Sequence, residues 1–228
     1  MPVAQFKAVV TGASSGIGLA IANRLLADGW QVLGLSRQMP GIDHPHFAWR
    51  SVDLSDRAMT DAVLAEIGPI HAVVHAAGFM HTAPAGQLDL DEGQAMWRVH
   101  VEAAMQLVDR LLAKLHDGGR IVVIGSRTMA GAAGRSQYAA SKAALVGLVR
   151  SWALELAPRR ITVNLIAPGA TDTPMLHDPR RVGTPPVKPP LGRFVAAEEV
   201  AAYTAFILGA EAGAITGQTL LICGGASL

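Results

Sequence analysis

The sequence predicts an α/β fold: a doubly wound parallel sheet of about seven strands with helices on both faces. Two observations carry that expectation. Short apolar runs alternate with longer amphipathic stretches along the whole chain, the order that buries a parallel sheet between two helical layers. The residues suited to chemistry fall just past the ends of apolar runs, where open α/β sheets bind ligands.

The elements follow in order. Residues 7–11 are an apolar first strand, and 16–28 a helix closed by Gly29. Strands follow at 31–35 and, less strongly patterned, at 47–52; a helix spans 55–67. Residues 70–75 make a buried strand ending in Ala76, Ala77 and Gly78. A long helix runs over 91–115 to the stop signal Gly118-Gly119, and a strand over 120–125. A second long helix covers 136–157 and halts at Pro158. A strand at 161–166 leads to Pro168-Gly169, a helix spans 198–208, and 220–223 is a last short strand. No linker or internal repeat interrupts this order, so residues 1–228 read as one domain. Residues 170–194 break the pattern with six prolines and read as a loop that covers a substrate; a surface insertion is the plainer alternative.

Composition narrows the class. Half the residues are apolar, 16% are charged, and the formal net charge is +1. No strong field attracts nucleic acid or an anionic membrane, and no apolar run approaches the roughly 18 residues a membrane span needs. The first residues carry no signal-peptide pattern, and the single cysteine, Cys223, excludes an internal disulfide; a cytoplasmic setting is expected. His71, His75, His81 and His100 match no zinc-ligand spacing, so no metal is expected.

The first strand runs directly into TGASSGIG, with Gly12, Gly16 and Gly18 spaced G-x-x-x-G-x-G. Such glycines let the backbone turn sharply against a pyrophosphate, while the helix that follows aims free N–H groups and a positive dipole end at the phosphates. The end of the second strand then reads the adenosine ribose, and here it carries Ser36 and Arg37 in place of an acidic residue. A guanidinium pairs a phosphate, so NADP(H) is favoured over NAD(H); a solvated surface charge is the alternative for Arg37. Tyr138 and Lys142 lie four apart in a helix and share one face. A free phenol, with a pKa of about 10, is a poor base near neutrality, and a neighbouring ammonium favours its ionised form. Ser126, twelve residues before Tyr138 and at a strand end, can bind and polarise a substrate oxygen.

Taken together these motifs resemble the short-chain dehydrogenase/reductase family, short single-domain branch, and specifically reductases of the 3-oxoacyl-carrier-protein type. TGASSGIG is similar to the family's signature turn, which implies coenzyme contacts from Gly12, Ser14, Ser15, Gly16, Ile17 and Gly18. VDL at 52–54 resembles the adenine-contacting element, implying roles for Asp53 and Leu54; on local grounds Asp53 could equally cap the helix after it. HAAG stands where the family often has NNAG, implying contacts from Ala76, Ala77 and Gly78. YAASK matches Y-x-x-x-K, and PGATDTPM resembles the segment that holds the nicotinamide end through Pro168, Gly169, Thr171 and Thr173. LGRFVAAEEVA and ITGQTLLICGG resemble the family's closing helix and strand, so the match spans nearly the whole chain.

The resemblance implies a Rossmann-type fold and hydride transfer between the nicotinamide and a carbonyl or alcohol carbon of a small molecule. Tyr138 is then the general acid/base, Ser126 binds the substrate oxygen, and Lys142 also holds the nicotinamide ribose. It further implies a homo-oligomer, tetramer or dimer, through the two long helices. The chain departs from the pattern at His100, where an asparagine is usual: either the imidazole joins a proton relay, or it simply bonds within the fold. His75 and Ala76 replace paired asparagines, and Cys223 replaces an acidic residue. His177, Arg180, Arg181 and Lys188 in the long loop would suit an anionic substrate or a solvated face. Two other functions stay open: an alcohol dehydrogenase working toward oxidation, and a coenzyme-binding sensor with little turnover.

Overall fold

A computed structural model describes residues 6–179 and 185–228; residues 1–5 and 180–184, with Arg180 and Arg181, lie outside the described residues. Seven strands form one parallel sheet: β1 (Lys7–Thr11), β2 (Gln31–Ser36), β3 (Phe47–Ser51), β4 (Ile70–His75), β5 (Leu115–Ile124), β6 (Thr162–Pro168) and, after two short strands treated below, β9 (Thr219–Ile222). Their order across the sheet is β3-β2-β1-β4-β5-β6-β9. The chain winds outward one way from β1 and the other way from β4. The crevice between the carboxyl ends of β1 and β4 is therefore the switch point where such sheets bind ligands.

Alternation along the strands fills two cores. Val9, Val73, Ile121, Val123, Val163 and Leu165 face one side, with α2 (Arg57–Ala65), α4 (Ala103–Leu111) and α5 (Ser136–Leu156) packed over them. Ala8, Val10, Val74, Val122 and Ile166 face the other, beneath α1 (Gly16–Ala27) and α6 (Ala197–Leu208). Burial on both faces explains why these strands read as unbroken apolar runs, and why β3, an exposed edge, reads weakly.

Three expectations need correction. The helix expected over 91–115 is interrupted and shorter. It comprises α3 (Leu90–Trp97), a wide π-turn at Arg98–Glu102, and α4 ending at Leu111. Leu115 already pairs with Ile70 in β5, and the register resumes at Arg120 opposite Ala72. Leu111, Leu112 and Leu115 continue a helical period, but the helix stops at Leu111, and side chains distant in sequence bond at this turn. Lys114 Nζ donates to the carbonyls of Leu64 and Ala65 at 2.7 and 2.8 Å, and Arg159 donates to that of Leu112 at 2.9 Å. The helix expected from residue 55 starts at Arg57, because Asp56 caps it through the Met59 N–H at 3.0 Å. The loop expected over 170–194 is pinned at its base: β7 (Thr171–Asp172) pairs in parallel with β8 (Val195–Ala196). The Leu191 N–H also bonds the Gly224 carbonyl at 3.1 Å.

Candidate active site

A cavity of about 770 Å³ opens at the switch point. Residues from the ends of β1, β2, β4, β5 and β6 line it, together with the first turn of α1 and one face of α5. Every residue the resemblance implies for catalysis or coenzyme contact lies on its wall, whereas His177 and Lys188 of the long loop do not line it. Gly12, Ser14, Ser15, Gly16, Ile17 and Gly18 form its middle, with Ser36, Arg37, Asp53 and Leu54 on one side. Ala76, Ala77, Gly78, His100, Ser126, Tyr138, Lys142, Pro168, Gly169, Thr171 and Thr173 complete it.

The glycine turn is tight by construction. Gly12 adopts φ +69°, and a Cβ there would stand 2.9 Å from the Ala77 backbone. A Cβ on Gly18 would lie 2.3 Å from the Gly12 carbonyl oxygen, with no flexible side chain to give way. Gly18→Ala is therefore expected to cost about 1–3 kcal/mol, read from the urea midpoint, while Gly68→Ala, which meets nothing within 4 Å, stays within about 0.5 kcal/mol. Ser15, the N-cap of α1, makes no capping bond with its side chain, so the first N–H groups of the helix face the cavity. That donor set and the closeness of the glycine backbone fit a pyrophosphate.

On the β2 side, Ser36 is buried, accepts from Trp49 Nε1 at 3.0 Å and donates to the Gln38 carbonyl at 2.7 Å. Arg37 is exposed at the rim. Asp53 does not cap α2. Its Oδ1 accepts from the Ser55 N–H at 2.9 Å and the Ser55 hydroxyl at 2.7 Å. These bonds hold the carboxyl below the usual range, and the charge of Arg37 adds to the effect.

The other side is buried. Ser126 caps the turn after β5; its Oγ accepts from the Thr128 N–H at 3.2 Å and lies 2.8 Å from Thr128 Oγ1. Thr128 is a wall residue the sequence reading missed, as are Phe79, Met80 and Leu176. Tyr138 is 5% exposed and Lys142 4%. Lys142 Nζ lies 5.9 Å from the Tyr138 ring centre and donates to the Ile124 carbonyl at 2.9 Å. Burial pushes its ammonium down to about 7.

The two histidines are fully bonded. Thr11 Oγ1 accepts from the N–H groups of Ala76 and Ala77, both at 3.1 Å, and donates to His75 Nδ1 at 3.0 Å; His75 Nε2 in turn donates to the Val99 carbonyl at 3.1 Å. His75 thus ties β1 and β4 to the π-turn without the usual asparagines. Burial, with the charge of Lys142, pushes it down to about 3. His100 Nε2 accepts from the Phe79 N–H at 3.2 Å, and its Nδ1 donates to Ser141 Oγ at 2.9 Å. The imidazole thus bonds within the fold through both nitrogens. Its burial, with the charges of Lys142 and His75 nearby, pushes its pKa well below the ordinary imidazole range. Thr11 and Ser141 lie inside TGASSGIG and YAASK, but the sequence assigns neither of them a role. His71 lies elsewhere, stacked on His116 at 4.5 Å. Cys223 is buried with Sγ 3.2 Å from Ser227 Oγ, and hydrogen bonds from Ser227 and its neighbours hold the thiol below its usual value against the opposing effect of burial. Among the described residues no helix is long and apolar enough to cross a membrane.

The pattern of the family described as enoyl-(acyl carrier protein) reductase matches residues 12–227. The chain is 36% identical over 235 residues to 3-oxoacyl-(acyl-carrier-protein) reductase FabG of Salmonella typhimurium, covering 96% of each chain. Among solved structures it resembles a short-chain dehydrogenase/reductase from Serratia marcescens, at 33% identity and a TM-score of 0.82, with 98% of each chain covered. It also resembles a blue fluorescent protein from a metagenomic library in complex with NADPH, at 30% identity and a TM-score of 0.86, again over 98% of each chain.

Proposed function

The chain belongs to the short-chain dehydrogenase/reductase family, and from that premise we propose that it is an NADPH-dependent oxidoreductase acting on a carbonyl or alcohol carbon of a small molecule. The observation that carries the reading is one continuous cavity. It joins a glycine turn shaped for a pyrophosphate to a buried Ser126, Tyr138 and Lys142 on one side and an exposed guanidinium on the other.

When bound, the nicotinamide supplies or accepts the hydride. The chain does the rest. Residues 12–18 and the first turn of α1 hold the pyrophosphate through backbone N–H groups. Asp53 and Leu54 lie along the adenine end. Residues 76–78, with Pro168, Gly169, Thr171 and Thr173, wall the nicotinamide end. Ser126 donates to the substrate oxygen, and Tyr138 gives that oxygen a proton in reduction or removes it in oxidation. The ammonium of Lys142 favours the phenolate and bonds the ribose. Met175, Leu176, Pro186 and Val187, from the excursion between β7 and β8, cover the substrate side. Met105 and Leu154 stand exposed on α4 and α5, which supports a symmetric homo-oligomer through these helices.

Coenzyme choice rests on Arg37. Arg37→Ala is expected to raise the KM for NADPH about 10- to 100-fold, the worth of a charge-assisted bond, and to leave that for NADH within a few-fold. An unchanged NADPH-to-NADH preference would show that the guanidinium is only a solvated charge. The reaction itself is tested by following NADPH and NADH oxidation over ketones, aldehydes and acyl thioesters. NADPH binding without turnover on the whole panel would favour the sensor reading instead.

A further inference from the structure

His100 lies in the π-turn between α3 and α4. Both ring nitrogens are committed. Nε2 accepts from the Phe79 N–H, so the proton sits on Nδ1 and is donated to Ser141 Oγ. The Ser141 hydroxyl donates in turn to the Tyr138 carbonyl at 2.8 Å, inside the first turns of α5. His100 is 0% exposed and Ser141 1%. The imidazole also stands edge-on to the Tyr138 ring, with centres 5.5 Å apart at 88°. On its other side the loop after β4 packs directly on it: a Cβ on Gly78 would come within 2.8 Å of Nε2. One side chain thus ties the wall formed by Gly78 and Phe79 to the helix that carries Tyr138.

We propose that His100 is a positioning residue, holding Tyr138 through Ser141 with one nitrogen and the Gly78–Phe79 wall with the other. The proposal rests on the reaction assigned to Tyr138. It differs from a relay because neither nitrogen is left to pass a proton on.

The two functions of the ring are separable. The amide atoms of asparagine sit as many bonds from Cα as Nδ1, and those of glutamine as many as Nε2. His100→Asn therefore keeps the Ser141 tie and loses the Phe79 tie. Its expected signature is a kcat near that of the parent with KM raised about tenfold. His100→Gln does the reverse, lowering kcat about tenfold with KM little changed. Each tenfold corresponds to about 1.4 kcal/mol, the net worth of one such bond. Ser141→Ala leaves the histidine in place; it should lower kcat as His100→Gln does and add nothing in the double variant. This variant decides the matter if the His100 substitutions fail to fold.

Kinetic constants within about twofold of the parent in all three variants would overturn the proposal. So would an equal loss of kcat and KM in Asn and Gln variants, which a merely structural histidine would produce. Loss of one limb of the pH–rate profile in both His100 variants would also overturn it, by marking the imidazole as a proton carrier. Tyr138→Phe, run beside them, separates the two levels. Full activity there removes the assigned reaction, whereas an inactive Tyr138→Phe with unaffected His100 variants removes this inference alone.

Discussion

Tyr138→Phe is expected to lower kcat by about 10²- to 10⁴-fold, the usual worth of a positioned general acid/base, with NADPH affinity within a few-fold of the parent. The substitution removes one oxygen and leaves the ring. The ring is what packs against His100 at 5.5 Å and beneath Lys142 at 5.9 Å, so the wall of the cavity survives. Stopped-flow NADPH oxidation with the best carbonyl substrate reads the chemical step, and coenzyme fluorescence reads binding. A variant with full turnover would sink the mechanism.

Lys142→Met should separate activity from stability. The buried ammonium has the Ile124 carbonyl as its bonded partner, and burial is what moves its pKa. Losing the charge beside Tyr138 is expected to lower kcat/KM about 10²- to 10³-fold, as for other electrostatic stabilisers of a developing charge. An apolar side chain of similar length is expected to make the fold about 1–4 kcal/mol more stable near pH 6. The sign follows from linkage. Lys142 titrates at about 7 in the folded protein, against 10.5 for the ordinary side chain. Between those values the unfolded chain binds a proton that the folded one has released, so the parent gains stability as pH rises from about 7 toward 10.5. The methionine variant lacks that gain. Its advantage should be widest at and below pH 7 and should narrow toward pH 10. Urea unfolding of both proteins at pH 6 and pH 9 without coenzyme measures it; an advantage that does not narrow contradicts the assignment of the titration to Lys142.

Much of this site is readable before any coordinates because its parts are local. The turn from Gly12 to Gly18 is one contiguous stretch, and the spacing of Tyr138 and Lys142 puts them on one face of one helix. The strands are legible because burial on both faces leaves them apolar throughout. The places where the pattern misleads are those governed by distant partners. Leucines at helical spacing carry the expected helix on to residue 115, yet it stops at Leu111, where Arg159 bonds the Leu112 carbonyl and Lys114 reaches away to the end of α2. Asp53 is a plausible cap in the sequence, and only the local fold assigns the cap to Asp56.

The sequence by itself determined the α/β order, the glycine turn and the set of side chains gathered at the strand ends. Each depends on neighbours a few residues away. Only the tertiary structure decided what His75 and His100 do, which nitrogen of each carries the proton, and how far Lys142 is depressed. His75 meets Thr11, and His100 meets Ser141, across 64 and 41 residues of chain. Loss of water around Lys142 arises only when α5 packs on the end of β5 and the loop after β4. A hydrogen-bond partner and a desolvation cost are properties of packing, and no spacing along the chain encodes them directly.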